Sequence, residues 1–172
     1  MTVYAQMASP IGWLRLTATS RGLCGVHMQD HAHLPPGPTA GTEVSGADVP
    51  EVIAQAMEEL RGYFAGTRTT FSVPLNAQGT DFQHRVWDRL AGIPYGATLS
   101  YGQLATELGD PHLTRAVGAA NGRNPVSIIV PCHRVIGSTG SMTGYGGGID
   151  RKLFLLRLEG VLPPAADQSP LF

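Results

Sequence analysis

Twice in its second half the sequence carries the same four-residue device. Thr80 stands three residues before Gln83, and Ser100 three residues before Gln103, each ahead of a helix-forming run. A Ser or Thr followed at that spacing by Gln or Glu satisfies free amide donors at a helix start from both sides. The two boxes therefore fix helix starts ahead of "FQHRVWDRLAGI" and "YGQLATELG". The turn "GDPH" then leads into "LTRAVGAANG", which stops at Gly122. Two short helices joined by a tight, glycine-containing turn are a helix-turn-helix candidate, although many such hairpins bind nothing. The second helix is lined with Ala116, Gly118, Ala119 and Ala120. Small residues let another backbone come close, either a neighbouring helix or a nucleic acid. Taken alone, this helix favours helix–helix packing.

Before Thr80 the texture is different. "VYAQM", "GWLRLTAT" and "GLCGVHM" read as short strands separated by the turn "SPIG" and by Ser20-Arg21. The stretch at about 33–50 is rich in Pro, Gly and Thr and reads as an exposed, flexible linker. A helix is expected from Asp48 to Phe64, closed by Gly66, and "TTFSVPL" is either one more strand or a connection. The expected fold class is α+β. A small N-terminal sheet-and-helix lobe over 1–79 precedes a mostly helical C-terminal lobe over 80–172, which carries the helix-turn-helix. In that second lobe "VSIIV" reads as a buried extended run, "GSTGSMTGYGGG" as a permissive loop, and Asp150 as the cap of a last helix. The loop lacks the spacing of a dinucleotide or P-loop fingerprint.

Composition narrows the function classes. At 172 residues, with 42% apolar and 15% charged side chains, the chain is ordinary globular material. No segment is apolar over a bilayer's thickness, so no membrane partner is expected. The opening "MTVYAQMASPIG" has no basic region followed by a long apolar core. With only two cysteines, free thiols in a cytoplasmic protein are expected. The net charge of −1 gives no reason by itself to expect nucleic acid. Its distribution says more: Arg115, Arg123 and Arg134 lie between Pro111 and Ile149 with no acid among them.

The chemistry concentrates in "IIVPCHRVIG". Cys132 follows a proline at the end of a buried run, beside His133 and Arg134, whose positive charge or proton affinity would favour a thiolate. The plain alternative is a packing thiol. In extended backbone Cys132 and His133 point to opposite faces, so their cooperation needs a turn or a bridging water. Glu159 ends a nearly all-apolar helix, where the macrodipole disfavours a carboxylate, so a buried partner such as histidine is expected. Cysteine, histidine and glutamate together would make an activated nucleophile with an oriented base. Cys24 reads as packing. His27, His31 and His33 lack the further ligands a tetrahedral metal site needs and read as a surface loop, so no metal is expected.

These residues resemble a known family. "PCHRV", with "RAVGxAxxxNP" upstream and "GYGGG…LLxLEG" downstream, is similar to the O6-alkylguanine-DNA alkyltransferases, densely so from about Thr80 to Gly160. The resemblance implies repair of DNA by irreversible transfer of an alkyl group from guanine O6 to Cys132, with no cofactor. It implies His133 as base through a water, Glu159 as its orienter, and Asn124 as brace of the turn. Tyr101 would help expel the lesion nucleotide and hydrogen-bond the base, and Arg115 would fill the emptied stack. Ala116, Ala119, Ala120, Asn121, Gly122 and Arg123 would face DNA. Tyr145, Gly146, Val135 and Arg134 would wall the pocket. The implied partner is double-stranded DNA carrying O6-alkylguanine, with O4-alkylthymine as a second candidate. Free in solution the protein would be a monomer, cooperative assembly on DNA being left open; in a bacterium it would be cytoplasmic and nucleoid-associated. Vertebrate relatives hold a structural zinc whose ligand pattern these histidines do not follow. The rival readings are a non-catalytic binder of alkylated DNA, a cysteine hydrolase, and a helix-turn-helix regulator.

Overall fold

The computed structural model describes residues 1–36, 40–142 and 144–164. Strands β1 (Val3–Met7), β2 (Leu14–Thr19) and β3 (Gly22–Met28) form an antiparallel meander, and β4 (Thr42–Glu43) adds in parallel beside β1. The register runs Val3↔Ala18 to Met7↔Leu14, then Leu14↔Met28 to Thr19↔Gly22, with a bulge at Thr17/Ala18. Alternation puts Ala5, Met7, Leu14, Leu16 and Ala18 on one buried face. Helix α1 (Glu51–Phe64) covers it with the stripe Ile53, Ala56, Leu60 and Tyr63, spaced to line one side of a helix.

Two expectations for this half change, and one left open is decided. The stretch at 33–50 is not free chain throughout, because Thr42 donates to Thr2 O, Val44 donates to Tyr4 O, and Gly46–Asp48 forms a 3-10 turn. Helix α1 starts at Glu51 rather than Asp48, since Pro50 holds Val49 in extended backbone (φ −70°, ψ 121°). Residues 69–75 form no strand, but Leu23 donates to Pro74 O and Asn76 to Leu23 O, so this connection covers part of the β3 edge.

Both capping boxes form as expected, opening α2 (Asp81–Ala91) and α3 (Tyr101–Glu107). Asp110 caps the 3-10 turn Pro111–Leu113, which runs straight into α4 (Thr114–Gly122). The hairpin is held from behind: Trp87 Nε1 donates to Ala120 O at 2.9 Å, Arg85 donates to Leu108 O, and Arg89 pairs with Glu107. Two-residue strands β5 (Leu99–Ser100) and β6 (Val135–Ile136) pair in parallel and tie α3 to the segment after Cys132. The last helix, α5 (Ile149–Leu158), is preceded by Gly148 in left-handed backbone (φ 91°), which takes the cap position expected for Asp150. Among the described residues no helix is long and apolar enough to cross a membrane.

The run "VSIIV" is buried, as expected, but it is not extended. Val26 donates to Pro125 O and Ser127 donates to Val26 O, which docks the run on the free edge of β3. From there it turns sharply: Val130 donates to Val126 O, and Ile128 sits at φ +73°. A β-branched residue in left-handed backbone is strained by about 1–3 kcal/mol and persists only where its surroundings over-determine it.

Candidate active site

What over-determines the turn is Asn124. Its Oδ1 accepts from Val126 N at 3.0 Å, and its Nδ2 donates to Val130 O at 2.8 Å, so one side chain closes both ends of the strained segment. Pro131 then feeds a single 3-10 turn, Cys132–Arg134, in which Arg134 N donates to Pro131 O. This is the turn that cooperation of Cys132 with His133 required. It buries all three side chains, leaving Cys132 5% exposed.

Glu159, immediately after α5, is the hub behind the nucleophile. Its Oε2 lies 2.6 Å from His133 Nε2 and accepts from Tyr63 Oη at 2.6 Å, while Arg134 reaches both oxygens, at 2.7 and 3.2 Å. Burial alone would push its carboxyl up, but His133, Arg134 and Tyr63 outweigh it and bring the carboxyl down to about 2. Burial pushes His133 the other way, below its ordinary value, against the pull of Glu159. The pair is therefore a carboxylate and a neutral imidazole. A carboxylate only accepts, so the imidazole proton sits on Nε2, and Nδ1, buried with no hydrogen-bond partner among the described residues, carries the free lone pair. That is the arrangement of a general base.

The thiol itself is raised by burial. Opposing that are Asn124, the charge of Lys152, and the amides of Cys132 and His133. Lys152 is fully buried, its Nζ donates to Val135 O at 2.6 Å, and burial brings it down to about 8. Tyr145 and Tyr101 flank the same thiol: burial raises both phenols, and the Cys132 charge raises them further. Tyr101 also stands below Lys152 Nζ, 6.0 Å from its ring centre.

Several sequence expectations are corrected here. Arg134 does not support the thiolate: its guanidinium is spent on Glu159 and on Ile93 O at 2.6 Å, and it lines a cleft with Tyr95, Ile129 and Pro131. Val135 has a fully buried core side chain and offers a neighbouring ligand none of its side-chain surface. Gly146 is committed to the N-terminal lobe, where Ala32 donates to its carbonyl and a Cβ would meet His31 Nε2 at 2.6 Å. In the helix-turn-helix, Ala120 and Asn121 face inward, with Ala120 O taking Trp87 and Asn121 Nδ2 lying 3.4 Å from Cys132 O. Arg115, Ala116 and Ala119 are exposed on α4 and Arg123 is exposed just after it, with Gly122 half-buried.

His27 and His31 are not surface residues. They pack edge to face with ring centres 5.4 Å apart, and burial first, then neighbouring charges, brings each down to about 4. Among the described residues no group of three His, Cys, Asp or Glu side chains is placed to hold a metal. Cys24 is half-buried in β3, with a thiol raised by burial and no acid–base neighbour among the causes of its shift. Sequence reasoning missed Tyr63, Lys152 and Arg151. The last of these donates to Ile11 O and Gly147 O, fastening the Tyr145 loop to the "SPIG" turn.

With this geometry in view, comparison with known proteins is direct. The family model for the 6-O-methylguanine DNA methyltransferase ribonuclease-like domain matches residues 2–77, and that for its DNA binding domain matches residues 81–161. A methylated-DNA–protein-cysteine methyltransferase of Mycolicibacterium paratuberculosis is 48% identical over 96% of this chain and 97% of its own length. One from Methanosarcina acetivorans is 45% identical over 91% and 97%. A crystal structure of Mycobacterium tuberculosis OGT in complex with DNA superimposes with a TM-score of 0.82 at 48% identity, covering 91% of this chain and 92% of that one. The chain belongs to the 6-O-methylguanine DNA methyltransferase family.

Proposed function

We propose that the protein reverses alkylation damage in double-stranded DNA by moving the alkyl group from guanine O6 to its own Cys132, once per molecule. The observation that carries this reading is the neutral His133, held at Nε2 by Glu159 with Nδ1 left as a base next to a buried thiol. Family membership and a DNA-bound relative of 48% identity support DNA as the partner.

The target oxygen is inaccessible inside a duplex, so the damaged nucleotide must leave the stack, at a cost of a few kcal/mol. Arg115, exposed near the start of α4, would fill the gap, and the small Ala116 and Ala119 would let the helix approach a groove. Arg123 supplies a phosphate contact whose strength falls with salt. With the base bound, the Cys132 proton passes to His133 Nδ1 through a bridging water. The charge left on sulfur is met by the Cys132 and His133 amides and by Lys152. Sulfur forms its bond to the alkyl carbon as the carbon–O6 bond breaks. The released electron pair returns to the guanine ring, with Tyr101 hydrogen-bonding the base. The guanine regains a proton at N1, balancing the one lost by the thiol. A thioether offers no leaving path back, so each molecule acts once. O4-alkylthymine presents the same exocyclic O-alkyl group and is a second candidate substrate.

The test compares the wild type and Cys132→Ser on a duplex carrying one labelled O6-methylguanine. The variant is expected to bind the duplex normally and take up no label. Uptake by the variant would overturn the assignment of the nucleophile. Tight binding without uptake by the wild type would leave a lesion-binding protein.

A further inference from the structure

We propose that Tyr63, from the helix of the N-terminal lobe, is a positioning residue for the transfer: its hydroxyl bond to Glu159 Oε2 sets how strongly that oxygen holds His133. The inference rests on the alkyl-transfer reading above.

Tyr63 is fully buried at the end of the stripe Ile53, Ala56, Leu60, Tyr63, where a phenylalanine would fill the same space against the sheet. Its hydroxyl is accounted for by one partner, Glu159 Oε2, at 2.6 Å. His133 Nε2 stands 2.6 Å from that same atom, and Arg134 Nη2 donates to it at 3.2 Å. A carboxylate oxygen has about two lone-pair sites, so three donors on one atom share its charge. Oε1, by comparison, takes Arg134 Nε. The phenol ring is wedged among Phe64, Phe71 and Tyr95 at 5.3, 5.7 and 6.3 Å between ring centres, which keeps the hydroxyl aimed. Burial, reinforced by Glu159, holds the phenol well above its ordinary value, so it remains a donor. The oxygen–hydroxyl bond spans the two halves of the chain, making a residue of the first half part of the acid–base network of the second.

The charged and titratable groups around the His133–Glu159 pair come from every packed element. Tyr63 comes from α1, Tyr95 from the segment after α2, Arg134 from the nucleophile turn, Tyr145 from the glycine loop and Lys152 from α5. Among the described residues, Tyr63, His133 and Arg134 are the side chains hydrogen-bonded to the carboxylate. Deleting the Tyr63 hydroxyl shifts the Oε2 charge toward His133 and stabilises its protonated form. The neutral imidazole is the active form, so raising its proton affinity moves the loss of activity to higher pH.

The experiment measures the single-turnover transfer rate against pH for the wild type, Tyr63→Phe and Tyr63→3-fluorotyrosine, on a duplex with one O6-methylguanine. The acid limb is expected to rise by about one unit in Tyr63→Phe, a roughly tenfold slower rate at pH values below the wild-type inflection. Fluorination makes the phenol a stronger donor, so the limb should fall in that variant, which also keeps the test open if Tyr63→Phe fails to fold. In parallel, the proton resonance of His133 Nε2–H is expected to move downfield in Tyr63→Phe and upfield in the fluorinated protein. That readout needs no turnover, so it separates failure of this inference from failure of the transfer reading. A uniform rate loss with an unmoved inflection and an unmoved resonance overturns the inference.

Discussion

Two glutamates lie almost equally deep in this protein and do different work. Glu59, on α1, is 2% exposed; Glu159, after α5, is 5% exposed. Glu59 is satisfied mainly by backbone: Ser72 N and Val73 N donate at 2.7 and 2.9 Å, with Ser72 Oγ and the Arg68 charge at longer range. It pins the connection between the two halves onto α1. Glu159 is satisfied by side chains, one of which is an imidazole that can gain and lose a proton. Burial of a carboxylate therefore says little about its role. A carboxylate on fixed amides is a clamp, and a carboxylate on a titratable ring can take part in proton transfer.

Charge removal at the two positions should separate these roles. Glu159→Gln is expected to slow transfer by about a hundredfold or more, the range lost with an oriented general base. It should also cost about 3–5 kcal/mol of stability by leaving Arg134 buried and unpaired, read from single-turnover rates and denaturant midpoints. Lys152→Met leaves the base in place but removes the charge that opposes burial of the thiolate, so about a tenfold slower transfer is expected. Glu59→Gln is expected to cost about 1–3 kcal/mol while the folded fraction transfers at the wild-type rate. A rate loss there as large as at Glu159 would erase the contrast.

A pH titration of stability sharpens it further. His27 and His31 are lowered to about 4 from an ordinary 6.5, so they are neutral in the fold. Their contribution is complete above about 6.5 and is lost as pH falls toward 4, because the unfolded chain takes up protons first. Glu159, lowered from 4.5 to about 2, contributes fully above 4.5 and loses that contribution between there and 2. Two successive acid losses are expected in thermal midpoints, and His31→Gln should weaken only the upper one.

The legible parts of the sequence were those whose causes are local. Each capping box is a contact across three residues, so Thr80 and Ser100 announced their helices correctly. The motif around Cys132 named the nucleophile, its histidine and, through the resemblance, Glu159. The less legible parts depend on distance or on direction. Tyr63 lies 96 residues from Glu159, and nothing in an apolar stripe says that its hydroxyl has a use there. The direction of Arg134 was not legible because it is set by a 3-10 turn, which sends the side chain back to Glu159. "VSIIV" looked extended from its β-branched composition, but Asn124 and the β3 edge bend it. For Ala120 and Asn121 the signal was present: with Val117 they share the 3.6-residue face that must turn inward. The resemblance, not the helix itself, turned them toward DNA.

The account is tested most directly by the intact mass of the wild-type protein after mixing with excess duplex carrying one O6-methylguanine. It predicts a gain of one methyl group in place of one proton, no more than once per molecule, on the peptide containing Cys132. An unchanged mass with the lesion still in the DNA, or a methyl group found on any other residue, would contradict it.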